Sequence, residues 1–319
     1  MNEQKRKETK GIVLLTITAI VWGLAFIFQR TGMEHIGPFA FNFFRCLLGT
    51  SFLLLVSLFF RYKNAGHYKA ANFKPKLVTK NLLVGGTLAG VSLFLAMSFQ
   101  QVGMVSTTAS KAGFITTMYI VLVPLMGVFY GRRPSVKTWI CVLIAAVGLY
   151  LISIKEGFVI EKGDFLVFIS AILFGFQIVV VDIFAPKVDS IKMNMTQFIT
   201  CGILSLIVVL FKETVTIEAV KAAGVAILYT GVISSGVGFT LQVVSQKSIS
   251  PTIASLIMST EAIFSLVAGI LILGERLVPK EMLGCLVMVI AIVLAQVDLP
   301  KRKKKDGTCL LYTSPSPRD

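Results

Sequence analysis

The stretch KGIVLLTITAIVWG at 10–23 returns 152 positions later as KGDFLVFISAILFG at 162–175, with Lys10, Gly11, Ile17, Ala19 and Gly23 matched by Lys162, Gly163, Ile169, Ala171 and Gly175. Each copy opens an apolar run of membrane length. If each half of the chain holds an odd number of such runs, the second copy enters the bilayer from the opposite side, which makes the halves an inverted repeat. The number of runs in each half therefore decides the architecture.

Composition sets the class. In 319 residues, 55% are hydrophobic, 15% are charged and the mean hydropathy is +0.82, more apolar surface than one water-soluble globule can hide. The runs lack the alternation of lipid-facing barrel strands, so helices are left as the spanning structure that satisfies its own backbone in hydrocarbon. An all-α membrane protein is expected. The first run follows a basic stretch, as a signal peptide would, but it is uncharged from Gly11 to Gln29, too long for such a segment and without an A-x-A-like site. It is read as a true span.

Cutting at charge clusters and at Pro or Gly, with about 17 to 25 residues per span, gives helices near 11–29, 38–60, 81–100, 105–130 and 137–154, then 164–184, 194–211, 221–245, 250–273 and 280–297. The expectation is ten transmembrane helices as two inverted five-helix repeats, 11–155 and 162–298. They are flanked by a short cytoplasmic segment at 1–10 and a basic tail at 299–319. The boundary between the third and fourth spans rests on Gln100-Gln101-Val102-Gly103. It is supported by an offset of 145 that pairs Gly86 with Gly231, Phe94 with Phe239, Gln101 with Gln246, Thr107 with Thr252 and Ala109-Ser110 with Ala254-Ser255.

With the amino terminus inside, the inner segments hold 21 Lys and Arg and the outer loops 7, so both ends are expected in the cytoplasm of a cell of bacterial type. The same bias accounts for the net charge of +15 through anionic lipid headgroups, with no nucleic-acid partner; the LysArgLysLysLys run at 301–305 is the flank of a span. The closing DGTCLLYTSPSPRD is read either as a sequencing-derived appendage or as a disordered native tail, and is set aside. Cys46, Cys141, Cys201, Cys285 and Cys309 lie singly, without a CxxC or a nearby His, and read as packing residues; neither a metal nor another cofactor is expected.

WGLAFIFQR at 22–30, FFRCLLG at 43–49, KAGFITTMYIVLVPL at 111–125 with GRRP at 131–134, and STEAIFSLVAGILILGERL at 259–277 resemble the EamA-type transporters of the drug/metabolite transporter superfamily. The resemblance covers roughly 10–297. It implies a cytoplasmic-membrane carrier, commonly an exporter of amino acids, their derivatives or other small metabolites. Its cavity would lie between helices one to four and six to nine, with five and ten peripheral. These transporters often carry Glu-Pro early in helix nine, whereas Glu261 is followed here by Ala262, so the proline that would bend the helix is missing.

An ionisable group near the bilayer centre costs about 2.5 to 3.5 kcal/mol on insertion scales and so faces a cavity or a partner. Glu261, Arg45 and Lys111 qualify. Glu261 is a candidate for proton coupling or for holding an amine, or else a buried partner of Lys111 or Arg45. Arg45, whose counterpart is Gln197, either holds a substrate carboxylate or pins helix two. Lys111 matches Leu256, an asymmetry that points to function, although a Lys this near a helix end also snorkels. Gln177, Gln242, Gln29, Gln101 and Gln246 either line a polar route or bind neighbouring helices. Trp22 and Tyr119 are candidate cavity walls, and Pro124 is the hinge candidate in helix four. Pairs such as Gly86/Gly90, Gly127/Gly131, Gly231/Ser235 and Ser265/Gly269 allow close helix approach.

The sequence thus reads as a secondary carrier for a small organic solute, with membrane lipid around it and protons as a candidate coupling ion. There is no G-x-x-x-x-G-K-[ST] loop for ATP drive. The alternatives are a lipid flippase of the same architecture and, more remotely, an intramembrane enzyme. The latter would need clustered His, Asp or Cys, and His35 and His67 lie in loops on opposite sides.

Overall fold

The computed structural model describes residues 3–63, 78–129, 131, 135–153, 161–276 and 278–296, and these are helical throughout apart from short turns. The expected tail, with Cys309, and Arg132, Arg133 and Pro134 of the GRRP motif lie outside the described residues. The helices are α1 (Glu3–Gly32), α2 (Pro38–Lys63), α3 (Lys80–Met104), α4 (Ala109–Thr116), α5 (Tyr119–Phe129), α6 (Val136–Ser153), α7 (Lys162–Phe184) and α8 (Ser190–Lys212). There follow α9 (Ile217–Ala222), α10 (Gly224–Leu228), a π-helical segment (Tyr229–Gly238), α11 (Phe239–Ser245), α12 (Pro251–Met258), α13 (Glu261–Leu273) and α14 (Pro279–Gln296).

Eight stretches of these residues are long and apolar enough to cross a membrane: Lys5–Gly32, Pro38–Lys63, Lys80–Met104, Ala109–Phe129, Lys162–Lys187, Ser190–Lys212, Gly224–Ser245 and Pro251–Leu273. Shorter apolar stretches, Trp139–Gly148 and Met282–Ala291, sit in α6 and α14. Side chains such as Leu55, Phe59, Phe211 and Leu271 point outward from this bundle, as they would toward lipid.

Several boundaries differ from the sequence expectation, each for a local reason. α1 starts at Glu3 because EQKRKETK is made of good helix formers and Lys7 pairs with Glu3 at 2.8 Å one turn apart. The turn after α3 lies at 105–108 and not at Gln100–Gly103, since Thr108 caps α4 by accepting from Lys111 N at 3.2 Å. The expected single helices 105–130, 221–245 and 250–273 are each divided.

Packing gathers most helices around one centre. α3 lies along α7 and α8, α2 along α8 and the π segment, α1 along α13, the π segment and α11, and α5 along α7. α6 and α14 pack chiefly on each other at the edge. Small residues make the seams: a Cβ on Gly90 of α3 would stand 2.7 Å from Gln197 O, and one on Gly49 of α2 would stand 2.9 Å from Gly231 O. Gly86 and Gly231 thus serve close approach as expected, whereas Gly131, at φ +75°, has open space and serves a turn.

At the end where α1 finishes, carboxylates tie one half to the other. Glu213, just after α8, accepts from Phe39 N (3.1 Å) and Ala40 N (2.8 Å) at the start of α2. Glu275, after the left-handed Gly274, accepts from Ala109 N (2.9 Å), Ser110 N (3.1 Å) and Ser110 Oγ at the start of α4. Arg30 Nη1 donates to the last carbonyls of α3 (Met104 O, 2.7 Å; Val105 O, 3.1 Å), and Thr107 Oγ1 to Asp164 Oδ1 (2.6 Å). The Glu213, Glu275 and Arg30 pairings each match charge to a helix end. Two apolar clusters then close the middle layer. One, with Phe26, Met104, Ala112 and Ile115, lies toward this end; the other, with Leu15, Val123, Ile249 and Ile257, lies toward the opposite one.

Candidate functional site

Between those clusters two helices are broken at the same level. Thr117 Oγ1 donates to Phe114 O (2.7 Å) between α4 and α5; Ser259 Oγ donates to Leu256 O and Thr260 Oγ1 to Ile257 O (2.7 Å each) between α12 and α13. Such hydroxyls take up carbonyls that a broken helix leaves unpaired in a dry interior. The break in α12–α13 therefore forms without the proline absent at Ala262. In α4–α5 it lies at Thr117–Met118, before Pro124, which stays inside α5. The bonds just upstream are tight three-residue closures, Ile120 N to Thr117 O and Val121 N to Met118 O, both 2.9 Å. Tyr119 and Glu261 open the second pieces, and Tyr119 Oη donates to Glu261 Oε1 at 2.9 Å.

Arg45 reaches the same centre from α2 and is buried. Its Nε donates to Ser235 Oγ (2.8 Å), Nη1 to Gln29 Oε1 (3.1 Å) and Nη2 to Ser234 Oγ (3.1 Å). The two serines lie in the π segment, where Gly231, Gly236 and Gly238 weaken α preference. Trp22 Nε1 takes Ser234 O at 3.4 Å, and its ring lies 4.5 Å from that of Phe239. Among the described residues neither Arg45 nor Glu261 forms an ion pair.

Four buried amides link the serines back to the centre. Gln242 Nε2 donates to Gln177 Oε1 (3.2 Å), Gln177 Nε2 to Gln197 Oε1 (3.2 Å), and Gln197 Nε2 to Asn194 Oδ1 (2.5 Å). Asn194 Nδ2 ends the chain on Ser235 O (3.1 Å), Gly236 O (3.4 Å) and Thr240 Oγ1 (2.7 Å).

These groups surround a narrow cavity, with about 430 Å³ of atom-free space when the open solvent at its mouth is included. Arg45, Glu261, Gln29, Gln100, Gln177 and Gln242 give it polar walls; Trp22, Phe26, Tyr119, Phe174 and Phe239 give aromatic ones. Arg45, Glu261, Trp22, Tyr119, Gln177 and Gln242, expected from sequence, therefore share one site, with Gln197 bonded directly behind it. Lys111, in the first turn of α4, and Pro124 are not among its lining residues.

Phe26, Phe174, Ile178, Thr116, Gln100, Ser234 and Phe239 were not singled out as wall residues by the sequence. The signal for several was present in the repeat. The offset of 152 pairs Trp22 with Phe174, Ala25 with Gln177 and Phe26 with Ile178, the offset of 145 pairs Thr116 with Glu261, and all eight line the cavity.

The profile of the EamA-like transporter family matches residues 9–154 and again 161–296. An "Uncharacterized transporter" of Archaeoglobus fulgidus is 28% identical over 284 residues, 89% of this chain and 84% of that protein. "Uncharacterized transporter YoaV" of Bacillus subtilis is 23% identical over 298 residues, 92% of this chain and 98% of that one. One solved structure, described only as the crystal structure of a protein, superposes with a TM-score of 0.67 at 16% identity, covering 89% of this chain and 96% of its own, a likeness of fold alone. With both halves matched and a run of apolar helices to carry them, the chain belongs to the EamA-like transporter family and is a multi-pass membrane transporter of small molecules.

Proposed function

We propose that this transporter carries small zwitterionic solutes, amino acids or their derivatives with an apolar or aromatic side chain, and exports them across the cytoplasmic membrane by alternating access. The observation that carries the reading is that the Arg45 guanidinium and the Glu261 carboxyl, without an ion pair to each other, line one aromatic-walled cavity. A solute carboxylate suits the guanidinium, whose fork has donors beyond the three in use. A solute ammonium suits the carboxylate, and the ring walls suit the side chain. Glu261, which accepts from Tyr119 and opens α13 beside the cavity, is the group we assign to proton coupling.

The mechanism rests on two inverted five-helix repeats, 11–155 and 162–298, in which α6 and α14 serve as fifth and tenth spans. At 18 residues each they are about 27 Å long, close to the hydrocarbon thickness. The packing supports this reading: α3 on α7 is answered by the π segment on α1, α3 on α8 by the π segment on α2, and α1 on α13 by α5 on α7. Excess Lys and Arg put both termini in the cytoplasm, so the end held by Glu213 and Glu275 faces outward. The opposite end has a cleft between Val123, Val179, Asp182 and Pro251, which suits loading from the cytoplasm and hence export.

Counterflow in proteoliposomes with an amino-acid and metabolite panel, with and without a pH gradient, tests the proposal. Solutes with both a carboxylate and an amine are expected to exchange, and analogues lacking either group to fall away. Glu261→Gln is expected to abolish pH-driven uptake and leave exchange measurable. Intact pH-driven transport in that variant removes Glu261 from coupling, and failure of every zwitterion to exchange removes the substrate class.

A further inference from the structure

Gln242 is fully buried, lines the cavity, and its Oε1 has no hydrogen-bond partner. A buried amide oxygen left unpaired costs free energy, so one carried by a residue of the cavity wall is placed to accept from a solute group brought against that wall. The direction in which the amide points is not arbitrary. At the far end of the relay, Asn194 faces Ser235 O and Gly236 O, which only accept, so Asn194 must present its Nδ2 there and its Oδ1 to Gln197. Gln197 must then donate to Asn194 and accept from Gln177, and Gln177 must accept from Gln242. Reversing any member sets oxygen against oxygen or nitrogen against nitrogen at the next step. Two carbonyls of the π segment thereby fix the sense of four side chains and leave one unpaired acceptor on a residue of the cavity wall.

Building on the zwitterion reading, we infer that Gln242 is a specificity-determining acceptor that selects solutes whose amine keeps its N–H donors, and that Asn194, Gln197 and Gln177 are positioning residues that hold its carbonyl toward the cavity. Glu261 alone, as a charge, attracts a quaternary ammonium as well as a primary one. A neutral oxygen of fixed orientation distinguishes the two, because a quaternary nitrogen has no N–H to donate and leaves it unpaired.

The test uses purified full-length protein in detergent, with equilibrium binding of L-phenylalanine, L-leucine and the N-methyl, N,N-dimethyl and N,N,N-trimethyl forms of L-phenylalanine. Wild type is expected to bind the free amine about tenfold or more tightly than the trimethyl form, the size of one buried hydrogen bond lost. Gln242→Met, which keeps the bulk and removes the acceptor, brings that ratio toward one. Gln197→Met, which is not among the lining residues, lowers the ratio as well, because Gln177 and Gln242 are then free to turn. A ratio in Gln242→Met equal to that of wild type overturns the acceptor role, and an unchanged ratio in Gln197→Met overturns the relay. Should both variants fail to fold, the wild-type series decides: equal binding of the free and trimethyl amines overturns the inference. If wild type binds neither amino acid, the zwitterion reading falls and takes this one with it.

Discussion

At the residue scale, Arg45 is a clamp more than a bare charge, since its three nitrogens engage Ser235, Gln29 and Ser234. Lysine offers a point charge on a flexible stem and cannot reproduce that fork. Arg45→Lys is expected to lower counterflow about ten- to a hundredfold, the loss of one or two charge-assisted hydrogen bonds, while the purified protein still elutes as a folded species. Wild-type rates in that variant would show the guanidinium geometry to be dispensable. The sequence revealed Arg45 and Glu261 readily, because a charge inside an apolar run demands a partner or a cavity. Taken singly, Phe174 and Ile178 look like any other apolar side chain in a chain with 24 Phe, and only their pairing with Trp22 and Phe26 across the repeat marks them. Lys111 carried the same signal as Arg45 and is not among the residues lining the cavity, which shows that depth along a helix does not specify which face a side chain takes.

At the scale of elements, the long apolar helices were legible because hydrocarbon requires closed backbone bonding over a fixed length. Their interruptions were not. Thr117, Ser259 and Thr260 break helices by side-chain bonds to the preceding turn, and an apolar count cannot register a hydroxyl that returns to its own backbone. The tie at Glu275 was visible only as part of a Gly-Glu-Arg turn, with nothing local to say that its carboxylate caps α4 from 165 residues away. Glu275→Ala strips the partners from Ala109 N, Ser110 N and Ser110 Oγ. It is expected to lower stability by about 1–2 kcal/mol, with Glu275→Gln recovering part of it, read as the shift in thermal unfolding midpoint in detergent. An unshifted midpoint would mean that water replaces the cap at no cost.

At the scale of the whole molecule, the proposed alternating access requires the end tied by Glu213, Glu275 and Thr107–Asp164 to part. Thr107→Cys with Asp164→Cys joins the chain across that seam, where the native oxygens stand 2.6 Å apart. Oxidation of this pair is expected to stop counterflow and reduction to restore it; undiminished transport in the oxidised protein would exclude opening at this seam. Thiol labelling of Lys5→Cys and Ala295→Cys is expected to place both sites on the cytoplasmic face, and opposite faces would end the inverted-repeat reading. The wide coil at 229–238 adds a further mechanical property. A backbone closed every five residues carries slack that a tighter winding lacks, and that slack can creep along the helix without leaving a donor orphaned. Ser234 and Ser235, which grip Arg45, ride on it, so one creeping step would loosen the grip on one wall while the rest of the scaffold stayed wound.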